Sequence, residues 1–317
     1  MTQIIVADIG GTNARFAIAN LEAKELAGGL SARKQFACTK FSGMKELLAC
    51  YLEQLDGVHL AGACLAIAGP VSGDKVKITN LPWSFSVSEL TRSLTLDSVV
   101  IVNDFAAKAY AIPHLTEDDL VTLNSGASEP TAPIALVGPG TGLGTGALLP
   151  QQQGWLALPA EGGHVGFSPS TREECELVSI IRQTQDYISR ETLLSGPGLE
   201  LLYQAICQRQ DLPSTKLSAK DIIEQATSNK ASAGYHTLSL FCDMLGSMAG
   251  DVVLDLGARQ GLYLGGGILP RIPDFFAEQW LLTAVSIQRR DESLHGKYSG
   301  TPHHMQGTGS DWTGSMV

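Results

Sequence analysis

The sequence has little that would mark a nucleic-acid-binding, zinc-binding or membrane protein. Its 317 residues carry 22 Lys and Arg against 32 Asp and Glu, so the formal net charge is −10 and a phosphate backbone would be repelled. No run approaches the 18 apolar residues of a membrane helix, and the N-terminus lacks a basic segment followed by a long apolar one. We therefore expect a cytoplasmic protein with neither nucleic acid nor membrane as a partner.

The cysteines also exclude several classes. None of the six belongs to a C-x-x-C pair, so their spacing encodes neither a zinc site nor a disulfide framework. We expect them to be small core residues. They are Cys38, Cys50, Cys64, Cys175, Cys207 and Cys242.

The residues that are present predict a two-domain α/β protein. Apolar residues make up 44% of the chain and charged residues 17%, which is typical of a compact globular protein, and 34 glycines indicate many tight turns. Apolar runs that predict strands alternate with helical patterns in the first half, whereas residues 170–255 are mainly helical. The polar stretch 113–133 is the expected boundary, and we predict domains at 1–112 and 113–279, followed by an atypical tail at 280–317.

Two glycine-rich segments lie between apolar runs. The first, Ala7 to Asn13, delivers the carboxylate of Asp8 to a turn whose glycines let backbone N–H groups approach an anion. The second, Gly138 to Gly146, has five glycines in nine residues. Neither is a Walker loop or a Rossmann turn, because an apolar strand pattern follows where those motifs require a helix. Each segment alone could be a plain hairpin turn, as could a third glycine cluster, Gly265 to Gly267.

Together with other motifs, these segments resemble a known family. The motifs are D-I-G-G-T-N-A-R-F, A-G-P, T-N-L-P-W, V-N-D-F-A-A, G-P-G-T-G-L-G, E-G-G-H-V-G-F, L-S-G-P-G-L and Y-L-G-G-G-I-L-P-R. In this order they resemble the bacterial glucokinases over roughly residues 3–278. The related repressor/open-reading-frame/kinase group carries a Cys-rich zinc motif, and the residues after His164 contain none, which disfavours that group.

The resemblance implies a fold, a reaction and its substrates. The fold is the two-domain actin-like ATPase (ribonuclease H-like) sugar-kinase fold, with a more α-rich second domain. The reaction is transfer of the γ-phosphoryl group of ATP to the 6-hydroxyl of glucose, with Mg²⁺ as cofactor. The resemblance also allows a homodimer.

Asn103 and Asp104 are the candidate catalytic pair. They stand where a β-branched run ends and a helical pattern begins, a position that faces clefts in α/β folds. From the residues alone, either could equally be a helix N-cap. The resemblance implies that Asp104 is the general base for the sugar's primary hydroxyl and that both residues contact the sugar.

A second group of polar residues is assigned to the sugar. Glu161 and His164 flank two glycines that permit close approach of a ligand, although a metal site is an alternative for this pair. Glu191 alone would be interpreted as a solvated helix carboxylate. The resemblance implies that Glu161, His164 and Glu191 all bind the sugar.

The remaining candidates are assigned by the resemblance to nucleotide and metal. Asp8 would hold Mg²⁺, mostly through water. The nucleotide-binding set is Ala7, Asp8, Ile9, Gly10, Gly11, Thr12, Asn13, Gly138, Gly140, Thr141, Gly142, Gly265, Gly266 and Gly267. Three rival functions stay open: a non-catalytic sugar sensor, a kinase for another hexose, and a protein-binding ATPase of the chaperone type.

The tail departs from the family pattern. After about Gln279 the sequence is rich in Gly, Ser, His and Thr and has little helical or strand period. Back-translation with degenerate codons, read one nucleotide later, permits segments such as M-S-R-Y-M-E-N-I-P-V that look like the missing family ending. We therefore expect a frameshift near Gln279, with 280–317 weakly ordered, and resequencing across codons 276–290 tests this expectation.

Overall fold

The chain forms an α/β protein, as the sequence predicts. The computed structural model describes residues 2–22, 29–55, 59–79, 81–213 and 215–279, together with the backbone of 303–306. These residues divide into two compact units, within Met1–Leu115 and Thr116–Thr308. Each unit contains its own sheet and its own hydrophobic core.

The first unit is built on a five-stranded sheet. Its strands and helices are β1 (Gln3–Ile9), β2 (Asn13–Asn20), β3 (Leu30–Ala37), α1 (Met44–Leu52), β4 (Gly62–Ile67), β5 (Lys75–Lys77), β6 (Ser84–Ser86), α2 (Val87–Leu94), β7 (Ser98–Asn103) and α3 (Asp104–Ala111). The sheet order is β3-β2-β1-β4-β7, while β5 and β6 pair separately. Strands β1 to β3 are antiparallel neighbours, whereas β4 and β7 run parallel to β1.

Parallel pairing in the first unit fixes where its functional residues lie. Strands β1, β4 and β7 point the same way, so their carboxyl ends share one edge of the sheet. The register pairs Ile9 with Ile67 and Ile67 with Asn103, which brings the first glycine turn and the start of α3 to that edge. In the same unit, Phe16 stacks on Tyr51, with ring centroids 4.9 Å apart.

The second unit repeats this strand arrangement and adds more helix. Its elements are β8 (Leu120–Asn124), β9 (Ile134–Pro139), β10 (Leu143–Pro150), β11 (Trp155–Ala160), α4 (Arg172–Ile181), α5 (Arg190–Leu193), α6 (Gly196–Arg209), α7 (Ala219–Ser228), α8 (Ala233–Leu256), β12 (Gly261–Leu264) and β13 (His303–Gln306). The sheet order is β11-β10-β9-β12-β13-β8. As in the first unit, three antiparallel strands are followed by two that run parallel to the first of them.

Helix caps define the helices of the second unit. Each of α4 to α8 begins behind a Ser or Thr whose hydroxyl accepts a backbone N–H of the first turn. The cap of α7 is Ser218, whose hydroxyl accepts the N–H of Asp221. Helix α8 ends at Gly257, which has a left-handed φ of 59°.

Two expectations from the sequence are corrected by the fold. Helix α8 is long and apolar enough to cross a membrane, contrary to the expectation that no segment approaches that length, but 67% of its most apolar window is buried inside the protein, as in a core helix. Cys38, Cys207 and Cys242 are buried as expected, whereas Cys175 is exposed. Cys50 and Cys64 are half-buried, and all six cysteines are free thiols.

The tail contributes one described segment. Strand β13 lies between β12 and β8, so the structure differs here from the expectation of a tail without strand pattern. Backbone pairing explains the difference, since it satisfies N–H and C=O groups whatever the side chains are. The expected frameshift and weak order of the rest of the tail concern 280–302 and 307–317, which lie outside the described residues.

Candidate active site

The first glycine segment forms the turn between β1 and β2. The N–H of Gly10 donates to the carbonyl of Asn13 at 3.0 Å, and the N–H of Cys38 donates to the carbonyl of Thr12 at 2.9 Å. Within the described part of the chain, the N–H groups of Gly11 and Thr12 have no protein acceptor. A turn with unused donors suits a bound anion.

Asp8 lies among charged groups of the first unit. Its Oδ2 is 3.3 Å from Nη1 of Arg15, the residue that faces it across the hairpin. Burial raises the pKa of Asp8, the positive charges of Lys108 and Arg15 oppose this rise, and the negative charge of Asp104 adds to it. Asp8 and Asp104 therefore belong to one electrostatic cluster with two cations.

The donor set around Asp8 fits magnesium better than zinc. The described residues contain no group of three or more His, Cys, Asp or Glu side chains placed to hold a metal. Magnesium normally binds through one or two carboxylates and completes its shell with water and substrate phosphates. Asp8 can supply one such carboxylate, and the N–H donors of the neighbouring turn suit a phosphate group of the substrate.

The structure separates the roles of Asn103 and Asp104. Asn103 is the N-cap of α3, because its Oδ1 accepts the N–H groups of Phe105 and Ala106 at 2.9 and 3.1 Å. Its Nδ2 donates to the carbonyl of Gly69 at 3.1 Å, within the A-G-P motif. Asp104 is the first helical residue, and its carboxylate is 3.3 Å from the ammonium group of Lys108. The capping alternative therefore belongs to Asn103, which leaves the side chain of Asp104 available for chemistry.

The second and third glycine segments meet in the second unit. The turn between β9 and β10 is closed by a bond from the N–H of Gly140 to the carbonyl of Gly142 at 2.7 Å. The N–H of Ile268, directly after the third cluster, donates to the carbonyl of Pro139 at 3.3 Å. On the other side, the N–H of Gly196 at the start of α6 donates to the carbonyl of Gly140 at 2.8 Å. Two other chain segments thus contact this turn.

The three residues assigned to the sugar are brought together. Nε2 of His164 is 3.6 Å from Oε2 of Glu161, and Nδ1 of His164 is 4.0 Å from Oε1 of Glu191. Glu161 and His164 are exposed, with 73% and 64% of their side chains accessible, while Glu191 is 34% accessible. Oε2 of Glu191 accepts the N–H of Leu143 at 2.7 Å. A hydroxyl-rich ligand at this set would meet several acceptors and an imidazole at once.

A pocket of about 380 Å³ opens beside the second glycine turn. Thr141 of the turn and Glu191 line it together with Ser195, Glu200 and Gln204 from the start of α6 and its first turns. The pocket therefore combines hydroxyl, carboxylate and amide groups next to the turn that is a candidate phosphate site.

Sequence reasoning missed several groups that the structure places at these sites. Lys108 carried a signal, because it stands four residues after Asp104 on a helix, the spacing of an i,i+4 ion pair. Arg15 also carried one, because a turn centred on Gly11 and Thr12 places it opposite Asp8. The contact between Glu191 and Leu143 spans 48 residues and left no local signal.

Comparison with known proteins gives consistent matches. The family model for glucokinase matches residues 5–293. A glucokinase of Nitrobacter hamburgensis is 40% identical over 274 residues, covering 86% of this chain and 84% of its own, and one of Tolumonas auensis is 38% identical over 291 residues, covering 92% and 89%. The crystal structure of a glucokinase from an Antarctic psychrotroph matches with a TM-score of 0.86 and 33% identity, over 99% of this chain and 97% of that one.

More distant structures share the fold and were solved with ligands. A glucokinase of Balamuthia mandrillaris in complex with glucose has a TM-score of 0.82 at 22% identity, over 99% of this chain and 92% of that one. A ROK-family glucokinase of Streptomyces griseus in complex with glucose and AMPPNP has a TM-score of 0.64 at 16% identity, over 99% of this chain and 98% of that one.

Proposed function

Because this chain belongs to the glucokinase family, we propose that the residues described above divide the work of an ATP-dependent hexose kinase. The activity is glucokinase activity, the phosphorylation of glucose by ATP. The observation that supports the division most strongly is the convergence of Glu161, His164 and Glu191 beside the second glycine turn. These three residues span 30 positions of the chain, so the fold itself brings them together.

Asp104 is the general base in this proposal. Phosphoryl transfer passes through a loose transition state in which the attacking hydroxyl becomes acidic late, so a positioned carboxylate is a sufficient proton acceptor. Lys108 orients that carboxylate from one helical turn further along α3. Asn103 fixes the start of α3 through its cap and through its bond to Gly69, which holds Asp104 at the carboxyl edge of the sheet.

The sugar-binding set of the second unit consists of Glu161, His164 and Glu191. Carboxylates accept hydrogen bonds from sugar hydroxyls, and an imidazole can donate or accept, so the set discriminates by leaving its groups unpaired with a wrong sugar. The glucose complex of a fold neighbour supports a hexose as the ligand. The preference for glucose over mannose or fructose is part of the proposal.

The glycine turn of each unit is proposed as a phosphate-binding segment, and the pocket beside Thr141 in the second unit is proposed to take the ribose. Free N–H donors of the first turn and the hydroxyls of Thr12 and Thr141 suit phosphate groups, while Glu200 and Gln204 suit the hydroxyls of a ribose. The AMPPNP complex of a fold neighbour supports ATP as the donor. Asp8 would hold Mg²⁺, which neutralises developing phosphate charge when it is bound.

The sugar assignment predicts a selective change in substrate requirement. We expect Glu161→Gln and His164→Ala each to raise the KM for glucose by about tenfold or more and the KM for ATP by less than about threefold, since one or more hydrogen bonds to the sugar are lost. Steady-state kinetics with ADP release coupled to NADH oxidation measures both constants. Glu224→Gln on α7 is the matched control, because Glu224 is exposed and, among the described residues, its carboxylate pairs only with Lys220 one helical turn away.

Equal rises in both constants for Glu161→Gln would place this residue outside the sugar site. The same assay, run across glucose, mannose and fructose, separates the rival functions. ADP release that needs no sugar would favour the protein-binding ATPase, and sugar binding without ADP release would favour the sensor.

We place the enzyme in the cytoplasm, where its six free thiols stay reduced.

A further inference from the structure

The second glycine turn contacts the sugar-binding set through its backbone. The N–H of Leu143, the first residue of β10, donates to Oε2 of Glu191 at 2.7 Å. Gly142 lies so close that a Cβ atom built on it would be 2.5 Å from the same oxygen. Because glycine has no Cβ atom, position 142 leaves room for the Glu191 carboxylate.

The other sugar residues depend on the same strand. A Cβ atom on Gly163, the residue before His164, would overlap the carbonyl oxygen of Leu143, so the two backbones are in direct contact. Thr145, two residues further along β10, is 2% exposed, and its Oγ1 accepts the N–H of Gly162 at 2.9 Å and donates to the carbonyl of Ala160 at 3.2 Å. These two bonds hold the backbone on both sides of Glu161.

All three sugar-binding side chains are thus positioned from residues 142–145. We propose that this segment, the start of β10, is the positioning element for the sugar, so that the turn assigned to the nucleotide also sets the geometry of the sugar site. Gly142 and the N–H of Leu143 are the positioning groups for Glu191, and the backbone of Leu143 and the hydroxyl of Thr145 are those for His164 and Glu161. This inference rests on the proposed assignment of Glu191 to the sugar.

The physical reason is preorganisation. A free glutamate side chain loses rotamer entropy when it binds a ligand, whereas a carboxylate that already accepts a backbone N–H has one oxygen fixed before the sugar arrives. The second oxygen, which faces His164 at 4.0 Å, then meets the sugar in a defined direction. A displaced carboxylate loses this rotamer entropy when the sugar binds, and its displacement also leaves the N–H of Leu143 without its acceptor.

Substitution of Gly142 tests the inference without touching a sugar contact. We expect Gly142→Ala to weaken glucose binding by about tenfold, measured by calorimetry with the full chain and no nucleotide present, because the new methyl group displaces the Glu191 carboxylate. The protein should still fold, since the atom that must move is the end of a flexible side chain. Gly43→Ala, at the residue before α1, is the control, because a Cβ atom on Gly43 would meet nothing within 4 Å. It should change the glucose dissociation constant by less than about twofold.

A double-mutant cycle shows whether Gly142 acts through Glu191. In a Glu191→Ala background, Gly142→Ala should have no further effect on glucose affinity, because the side chain that it displaces is gone. Additive effects of the two substitutions, or equal effects of Gly142→Ala and Gly43→Ala, would overturn the inference. The proposed function fails separately: if Glu191→Ala alone leaves glucose affinity unchanged, the sugar assignment of Glu191 is wrong.

Thr145 supplies an independent readout. Thr145→Val removes the hydroxyl at nearly constant volume and should raise the KM for glucose several-fold with kcat changed by less than about twofold, whereas Thr145→Ser keeps the hydroxyl and should restore the KM. Thr237→Val on α8 is the matched control, since Thr237 is fully buried in the same unit and its hydroxyl bonds only within its helix. An unchanged KM for glucose in Thr145→Val would remove Thr145 from the positioning element. An equal rise in KM in Thr145→Val and Thr145→Ser would do the same, because it would not depend on the hydroxyl.

Discussion

Asp104→Asn is expected to lower kcat by about 10²- to 10⁴-fold while glucose affinity stays within about threefold. The amide keeps the size and one acceptor oxygen of the carboxylate but cannot take a proton from the sugar hydroxyl, and this range is the usual contribution of general base catalysis. The separation of kcat from binding identifies a group that acts in the transition state. Rapid-quench measurement of glucose 6-phosphate, together with calorimetric titration of glucose, gives the two quantities.

The control for this variant lies at the opposite end of the same strand. Asp97 precedes β7 as Asp104 follows it, and its side chain is exposed. Asp97→Asn makes the same chemical change in the same unit and should leave kcat within about twofold. A turnover number for Asp104→Asn close to that of Asp97→Asn would show that another group accepts the proton.

Asp8→Asn is expected to lower kcat by about 10²-fold or more without lowering stability. Loss of the carboxylate removes the proposed ligand for Mg²⁺, and charge stabilisation by a metal contributes several kcal/mol, with each 1.36 kcal/mol worth a factor of ten. Burial raises the pKa of Asp8. Above that pKa, the ionised carboxylate in the folded state lowers the free energy of unfolding, and a neutral amide does not have this effect. The melting temperature at pH 7 should therefore be no lower than that of the wild type.

Magnesium titration distinguishes loss of metal binding from general damage. The variant should need a higher Mg²⁺ concentration for half-maximal activity, while glucose binding in the absence of metal stays within about threefold. A variant that is inactive and also melts at a much lower temperature would mean that Asp8 supports the fold through Arg15 instead. An unchanged Mg²⁺ requirement would remove Asp8 from the metal site.

Much of the fold follows from periodicity in the sequence. The predicted alternation of strands and helices in the first half is present, and the predicted helical region 170–255 contains α4 to α7 and nearly all of α8. Strands β3 and β11 were not predicted. The first is exposed along most of its length and the second contains Pro159, so neither has the buried alternation that marks a strand.

The candidate site was predictable only where its contacts are local. Asp8 in a glycine turn and Asp104 at the start of a helix could be interpreted from a few neighbouring residues. Glu191 could not, because its partners Leu143 and His164 are 48 and 27 residues away and its own segment resembles an ordinary capped helix. The resemblance to glucokinases supplied what the local pattern lacked.

Because the strand order is repeated, the two glycine turns lie at equivalent positions in their sheets. In the first hairpin Asp8 faces Arg15, whereas the corresponding facing pair in the second is Gly138 and Gly144. The two hairpins therefore share a strand arrangement but differ in this cross-strand pair. A hairpin with a carboxylate at this position can attract a cation, and one with two glycines can offer only the dipoles of its peptide groups. The proposed metal role of the first hairpin thus depends on a carboxylate that the second hairpin lacks at the equivalent cross-strand pair.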